Sequence, residues 1–394
     1  MSRRKTGYLR GLSYESRMLV ALALGWATLQ GGRFMLPPLL PRITEQLGFS
    51  PAGIGAALTV FGLIYAVTQY PSGTYSDSLS RATLILPAFV VLIVGFAVVG
   101  FSVSRSIFVF AMVVLGVGKG LYASPSRALL GDLFTARRGR ALGIYSAGTD
   151  VGGLVGAGLA VVVLATTVWR TAFVPVVVIL TSVTLLYVFW NREEYKVGRV
   201  RLSPGETVGR IVATREQRET LVAFAVFYFF VGGLTNFFPT LLVAGGSSEA
   251  VAGASFALLF AVGTLTKPVA GEVSDRFPRL LVGTAGLILA MFGLSLVLVA
   301  PTLSVVAVGT VLTAVGYKTQ FPIADSIVME TAPDGEVGGD LGASRAVFLT
   351  ANALGPGVVG VIAELTDFET AFWVLAGSLL VSVALLGRQY LREG

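Results

Sequence analysis

Pro71-Ser72-Gly73-Thr74-Tyr75-Ser76-Asp77-Ser78-Leu79-Ser80-Arg81 and Val269-Ala270-Gly271-Glu272-Val273-Ser274-Asp275-Arg276-Phe277-Pro278-Arg279 are two short polar stretches, each set between long apolar runs. Laid over one another, they superimpose Gly73 on Gly271, Ser76 on Ser274, Asp77 on Asp275 and Arg81 on Arg279. Agreement of this kind in two tight polar turns points to a duplicated unit. Each stretch is expected to end one membrane helix at its Gly and to start the next with an Asp whose charge suits the N-terminal dipole.

The runs around these stretches fix the class. Hydrophobic residues make up 54% of the 394 and charged residues 13%, about half the charged share of a soluble domain. With a mean hydropathy of +0.80, too little polar side chain is left to coat a water-soluble surface of this length. Apolar runs near the ~20 residues of a membrane-crossing helix fall at 18–40, 51–72, 82–103, 107–130, 141–165 and 170–190, then at 220–243, 250–271, 280–300, 303–328, 341–363 and 370–387. Continuous runs of this kind exclude a membrane β-barrel, whose strands alternate over ~10 residues. The expected fold is therefore an all-α membrane protein with twelve transmembrane helices in two pseudo-symmetric six-helix halves.

Three segments follow: an N-terminal half over 1–190, a cytoplasmic linker over 191–219 and a C-terminal half over 220–394. The linker holds twelve charged residues in 29 and is expected to carry a short surface helix from Pro204 onward. Arg3, Arg4, Lys5, Arg10 and Arg17 precede the first run, which lacks a small-residue cleavage site and is read as a retained span. Lys and Arg number 20 across the N-terminus, the even-to-odd loops, the linker and the C-terminus, against Arg42, Arg105 and Arg170 in the opposite loops. Both termini and the linker are thus expected in the cytoplasm, in a multi-pass protein of the cell membrane. The net charge of +7 reflects this placement and does not call for nucleic acid.

The repeat extends past the turns. Gly31-Gly32 and Pro38 align with Gly232-Gly233 and Pro239, and Leu142-Gly143, Gly156 and Gly158 with Leu341-Gly342, Gly355 and Gly357. Two related halves of parallel topology account for this.

On these residues the chain resembles the major facilitator superfamily over nearly its whole length. The family's loop pattern Gly-x-x-x-Asp-Arg-x-x-Arg is met by Gly271, Asp275, Arg276 and Arg279, and partly by Gly73, Asp77 and Arg81, with Ser78 where the first Arg is usual. The resemblance implies that these loops act as cytoplasmic gates, bracing the halves against each other during alternating access. Leu115-Gly116-Val117-Gly118-Lys119-Gly120 with Pro125 and Arg137-Arg138-Gly139-Arg140-Ala141-Leu142-Gly143 is similar to the family's passage from helix 4 into helix 5. Gly148, Gly152, Gly153 and Gly156 are similar to the helix-5 motif of the antiporter branch. Gly153 replaces that motif's Pro and Ala157 its last Gly, so close helix packing is the favoured reading and no export is assigned.

The chemistry lies in the charges that fall within spans: Arg33, Lys119, Lys267, Lys318 and Arg345. Each costs at least ~2.5 kcal/mol at the bilayer centre and is expected to face a cavity, a partner or an interface. Lys267 and Arg345 fall about five residues from their span ends, within snorkelling reach. Arg33, Lys119 and Lys318 lie deeper, on three of the four helices (1, 4, 7 and 10) that the resemblance implies line a central cavity. Either an anionic cargo or internal ion pairs compensate them; the anionic cargo is preferred, with Gln30, Asn236 and Arg345 as further substrate-binding residues.

Asp150 and Asp325 are the candidates for proton coupling, the alternative for Asp150 being a static salt bridge with Lys119 or Arg127. Asp325 stands seven residues from Lys318, too far for direct pairing, and Arg127 with Asp132 is read as a structural pair. No Cys and no His occur, which removes disulfides, thiol chemistry and imidazole metal sites, so no enzymatic activity, metal or cofactor is expected.

The reading is a monomeric secondary transporter of a small, anionic solute, coupled to protons within the lipid bilayer. Its rivals are a proton-driven exporter of drugs or hydrophobic metabolites and a non-transporting receptor or scaffold. The first fits poorly with several cavity cations. The second often carries a long soluble tail, whereas the twelfth run ends close to the chain's last residue.

Overall fold

The computed structural model describes residues 13–166, 168–198, 212, 214–300, 302–331 and 337–393. Twelve long helices are described: α1 (Tyr14–Leu47), α2 (Pro51–Ser78), α3 (Arg81–Gly100), α4 (Arg105–Leu133), α5 (Arg138–Thr166), α6 (Phe173–Trp190), α7 (Arg215–Ala244), α8 (Glu249–Arg276), α9 (Arg279–Leu298), α10 (Leu303–Thr331), α11 (Val337–Leu365) and α12 (Phe368–Glu393). Eleven of them are long and apolar enough to cross a membrane. The twelfth, α10, carries Lys318, Gln320 and Asp325. Arg3, Arg4, Lys5 and Arg10, the surface helix expected from Pro204, and the side chain of Asp77 lie outside what is described.

The helix starts follow ordinary capping chemistry. Ser50, Ser80, Ser104 and Ser248 each accept the backbone N–H three residues on, ahead of α2, α3, α4 and α8, and Thr214 with Gln217 closes a capping box ahead of α7. These caps correct the reading of the repeated polar stretches. Gly73 and Gly271 do not end their helices: α2 runs on to Ser78 and α8 to Arg276, so both motifs occupy last helical turns. Glycine is tolerated inside a helix for about 1 kcal/mol. The breaks come later, at Leu79-Ser80, where Ser80 caps α3, and at Phe277-Pro278, a proline having no N–H to continue the ladder.

The duplication is visible in the packing. In the first half α1 packs on α5 and α6, α4 on α2 and α3, and α3 on α6; six helices on, α7 packs on α11 and α12, α10 on α8 and α9, and α9 on α12. Of the glycines found in both copies, Gly156 and Gly355 sit where two of these helices cross. A Cβ on Gly156 would stand 2.2 Å from the Gly31 carbonyl oxygen, and one on Gly355 2.6 Å from the Gly233 nitrogen, so only glycine lets α5 reach α1 and α11 reach α7.

The halves meet along α2 with α11 and α5 with α8, with a smaller contact between α1 and α7. Toward the face opposite the first turn of α1, here the opposite face, this seam is tight. Gly360 lies against the backbone of Pro51, Gly55 against Pro356, and Gly253 against Val161. Arg42 of α1 closes it with a two-pronged bond to Glu249 of α8, 2.8 and 3.1 Å, and the Ala52 N–H donates to Glu364 at 2.9 Å. Beneath this closure the halves part around a central cavity.

Candidate functional site

The cavity measures about 400 Å³ and is walled by α1, α2, α4 and α5 of one half and α7, α8, α10 and α11 of the other. It extends toward the face where α1 begins, the terminal face, as far as Gln69, Arg127, Lys267, Asp325 and Arg345, each within three turns of a helix end. Six cations line it: Arg33, Lys119, Arg127, Lys267, Lys318 and Arg345. They fall into two groups according to which half carries them.

Each cation of the C-terminal half meets a carboxylate. Asp150 of α5 is 3% exposed and accepts from Lys318 of α10 at 2.6 Å through one oxygen and from Lys267 of α8 at 2.5 Å through the other. Arg345 of α11 grips Asp325 of α10 at 2.6 and 3.2 Å. Three expectations are corrected here. Asp150 pairs with neither Lys119 nor Arg127 but crosses to the other half. Lys318, expected to await an anion, already holds a carboxylate. Asp325, in keeping with its distance from Lys318, is matched instead with Arg345, on the neighbouring helix. Lys267 and Arg345 do not snorkel: α8 runs nine residues past Lys267 and α11 starts eight before Arg345, so both turn inward.

The cations of the N-terminal half have no carboxylate partner among the described residues. Arg33 of α1 donates one bond, at 3.2 Å to the Asn236 side-chain oxygen of α7, while its second terminal nitrogen is buried without a protein partner. Its guanidinium stands 4.5 Å from the Phe34 ring. Lys119 of α4 is 8% exposed and meets aromatic faces only, Tyr65 at 4.3 Å and Phe61 at 5.5 Å. Such cation–π contacts return roughly 0.5–2 kcal/mol, less than a bared ammonium loses on leaving water. Gln30 completes the group, its carbonyl oxygen buried and unbonded.

Arg127 belongs with them, contrary to its reading as a partner of Asp132. Asp132 is engaged by Arg81 at 3.1 Å, and Arg127 faces the cavity instead, its Nε buried without a partner. Its spacing of eight from Lys119 placed both on one stripe of α4; what the sequence could not reveal was that this stripe faces the cavity to its end. Trp26 and Tyr65, also missed, form the wall between these cations. Trp26 stacks on Tyr145 at 5.2 Å and donates its indole N–H to Thr149 at 2.9 Å.

Gln30, Asn236 and Asn352 also line the cavity. Tyr122 instead donates to the Leu22 carbonyl, and Gln320 to that of Gly283, so both fasten helices. Around the polar stretches Arg81 meets Ser76 and Asp132, Arg276 pairs with Glu272, and Arg279 with Glu330 and, at 3.9 Å, with Asp275. These pairs tie each loop to its own half, and a Cβ on Gly271 would meet nothing within 4 Å.

A twelve-helix bundle with a duplicated topology and a charged central cavity is now in view, and a sequence model described as Major Facilitator Superfamily matches residues 22–264 and 220–393. The chain belongs to that superfamily. As a member it is a multi-pass membrane protein of a family of transporters, not enzymes. It is 21% identical over 379 residues to a hexuronate transporter of Bacillus subtilis, covering 89% of each chain. It is 25% identical over 277 residues to a nitrite extrusion protein of the same organism, covering 68% of this chain and 66% of that one. Across the curated relatives the matched stretch spans from 36% to 90% of the relative's length. Among solved structures, a bacterial homologue of the human lysosomal transporter Spinster, inward-facing and occupied, superposes with a TM-score of 0.82 at 19% identity, over 95% of this chain and 97% of that one. The superfamily fold is thereby shared.

Proposed function

We propose that the protein is a secondary transporter that carries a small organic anion between its two halves by alternating access. The observation that carries the reading is the pair Arg33 and Lys119: two cations lining the central cavity, one half-buried and one buried, on two helices of one half, with no carboxylate among the described residues to meet them. Six cations against the two carboxylates they contact, Asp150 and Asp325, leave four positive charges in excess around the cavity. A negatively charged cargo is the ligand that such a wall stabilises. Arg33 offers a planar fork and Lys119 a point charge, with Asn236 holding the guanidinium and Gln30 supplying a polar edge. The names of the hexuronate and nitrite relatives agree with an anionic cargo, and the excess of positive charge disfavours cationic drugs.

Proton movement is assigned to Asp150. It sits on α5 and its lysines on α8 and α10, so rocking the halves apart at this depth breaks both ion pairs and frees the carboxylate to take a proton. Residues 1–190 and 220–394 act as the rocking bodies, 191–219 joins them, and the loops around Gly73 and Gly271 gate the terminal face, here assigned to the cytoplasm of a cell-membrane protein acting as a monomer.

The test is uptake into proteoliposomes from a panel of mono- and dicarboxylates, nitrate, phosphate and drug-like cations, with and without a pH gradient. Anions are expected to be carried and cations not. Arg33→Gln and Lys119→Gln should each weaken anion binding at least tenfold while the purified protein keeps its melting temperature. Unchanged affinity in both variants would remove the anion from the reading.

A further inference from the structure

The three unpaired cations of the N-terminal half alternate with aromatic rings. Arg33 and Lys119 flank the Phe61 ring at 5.9 and 5.5 Å, and Lys119 and Arg127 flank the Trp26 ring at 5.9 and 5.5 Å. Lys119 and Arg127 are separated by eight residues of one helix, about 12 Å of rise. The wall therefore has two positive poles, Arg33 with Lys119 at one end and Arg127 at the other, with an indole between them.

Both poles line the cavity. Arg33 and Arg127 each keep a buried guanidinium nitrogen without a protein partner. The remaining cavity cations are not available in the same way, because Asp150 and Asp325 already hold Lys267, Lys318 and Arg345. A single anionic group satisfies one pole and leaves the other uncompensated in a low-dielectric wall. A three- or four-atom inorganic anion also fills little of a 400 Å³ cavity, given the ~30 Å³ that one water takes up in the liquid.

We infer that the cargo is an organic dianion: one carboxylate on Arg33 and Lys119, the second on Arg127, and a flat apolar body against Trp26. This inference rests on the anion reading above and narrows it. With Lys119 Nζ at 5.9 Å and the Arg127 guanidinium at 5.5 Å from the Trp26 ring centre, the two charges stand at most about 11 Å apart, and charge-assisted contacts of about 2.8 Å at each end leave at most about 6 Å between the two carboxylates, the separation set by a para-disubstituted benzene ring. The ring's π-face suits the indole, which its Thr149 bond and the Tyr145 stack hold in place.

The experiment is calorimetric titration of the purified full-length protein in nanodiscs with terephthalate and with benzoate, which differ by one carboxylate on the same ring. Wild-type protein should bind terephthalate at least tenfold tighter than benzoate. Arg127→Gln should lower that ratio about tenfold, and Arg127→Lys should recover most of it, with all three proteins melting at the same temperature. Equal affinity for the two ligands in wild type, or an Arg127→Gln variant that weakens both alike, overturns the dianion while leaving the anion reading intact. If neither ligand, nor nitrate, nor phosphate binds to wild type, the anion reading falls and this inference with it.

Discussion

Asp150 is the residue on which the two halves share a charge. Its carboxylate is almost fully buried and each oxygen accepts from a different lysine, so removing it strands two ammonium groups side by side. Losing one partner of a buried pair costs about 3–5 kcal/mol. Asp150→Asn is therefore expected to lower the thermal midpoint in detergent markedly, and Asp150→Asn with Lys267→Gln and Lys318→Gln to regain much of the loss. The same single variant should exchange cargo across proteoliposomes without responding to a pH gradient. An unaltered midpoint would show that the lysines relax into water, and surviving pH dependence would leave Asp150 a purely structural residue. The sequence disclosed that Arg33, Lys119, Lys318 and Asp150 fell deep within apolar spans and Lys267 and Arg345 nearer their ends, because hydropathy makes each conspicuous. It did not disclose who meets whom. The pairing of α5 with α8 and α10 joins residues more than a hundred positions apart, and no local pattern encodes that distance.

At the scale of helices, the duplicated glycines carry the fold. Gly156 crosses α1 at the backbone of Gly31, whereas Gly158, two residues on, has open space where its Cβ would go. Gly156→Val should overpack the crossing by at least the ~1–3 kcal/mol typical of an inserted side chain and sharply reduce the yield of folded protein. Gly158→Val should fold at wild-type yield, and equal yields would show that the crossing yields to bulk. Twelve helices, their grouping by six and the recurrence of these glycines were all legible, since apolar length and repeated small residues are properties of the chain itself. The ends of α2 and α8 were not. Gly73 and Gly271 read as stops, yet the last turns close several residues later, where the Leu79 and Phe277 N–H groups donate to Tyr75 and Val273, and Ser80 and Pro278 then open the next helices.

For the whole molecule, the central feature is that the seam is closed on one face and parted below it. The Arg42–Glu249 bond ties α1 to α8 across the closed face, next to a second hollow lined by Thr240, whose hydroxyl is buried there without a partner among the described residues. Since the chain has no cysteine, Thr240→Cys introduces a single thiol. It should react slowly with a membrane-impermeant maleimide in the otherwise native protein, and severalfold faster when Glu249→Gln is added. Labelling at one rate in both would mean that helix packing alone, through Gly55, Gly253 and Gly360, holds this face shut. The unequal pairing of the two halves' cations bears finally on timing. A carrier that has delivered its passenger must reset with Arg33, Lys119 and Arg127 bare, squeezing naked positive charge through the occluded intermediate, whereas a refilled one travels back neutralised. On the reading proposed above, the empty return is the slow leg of the cycle, and swapping one anion for another should outrun net uptake.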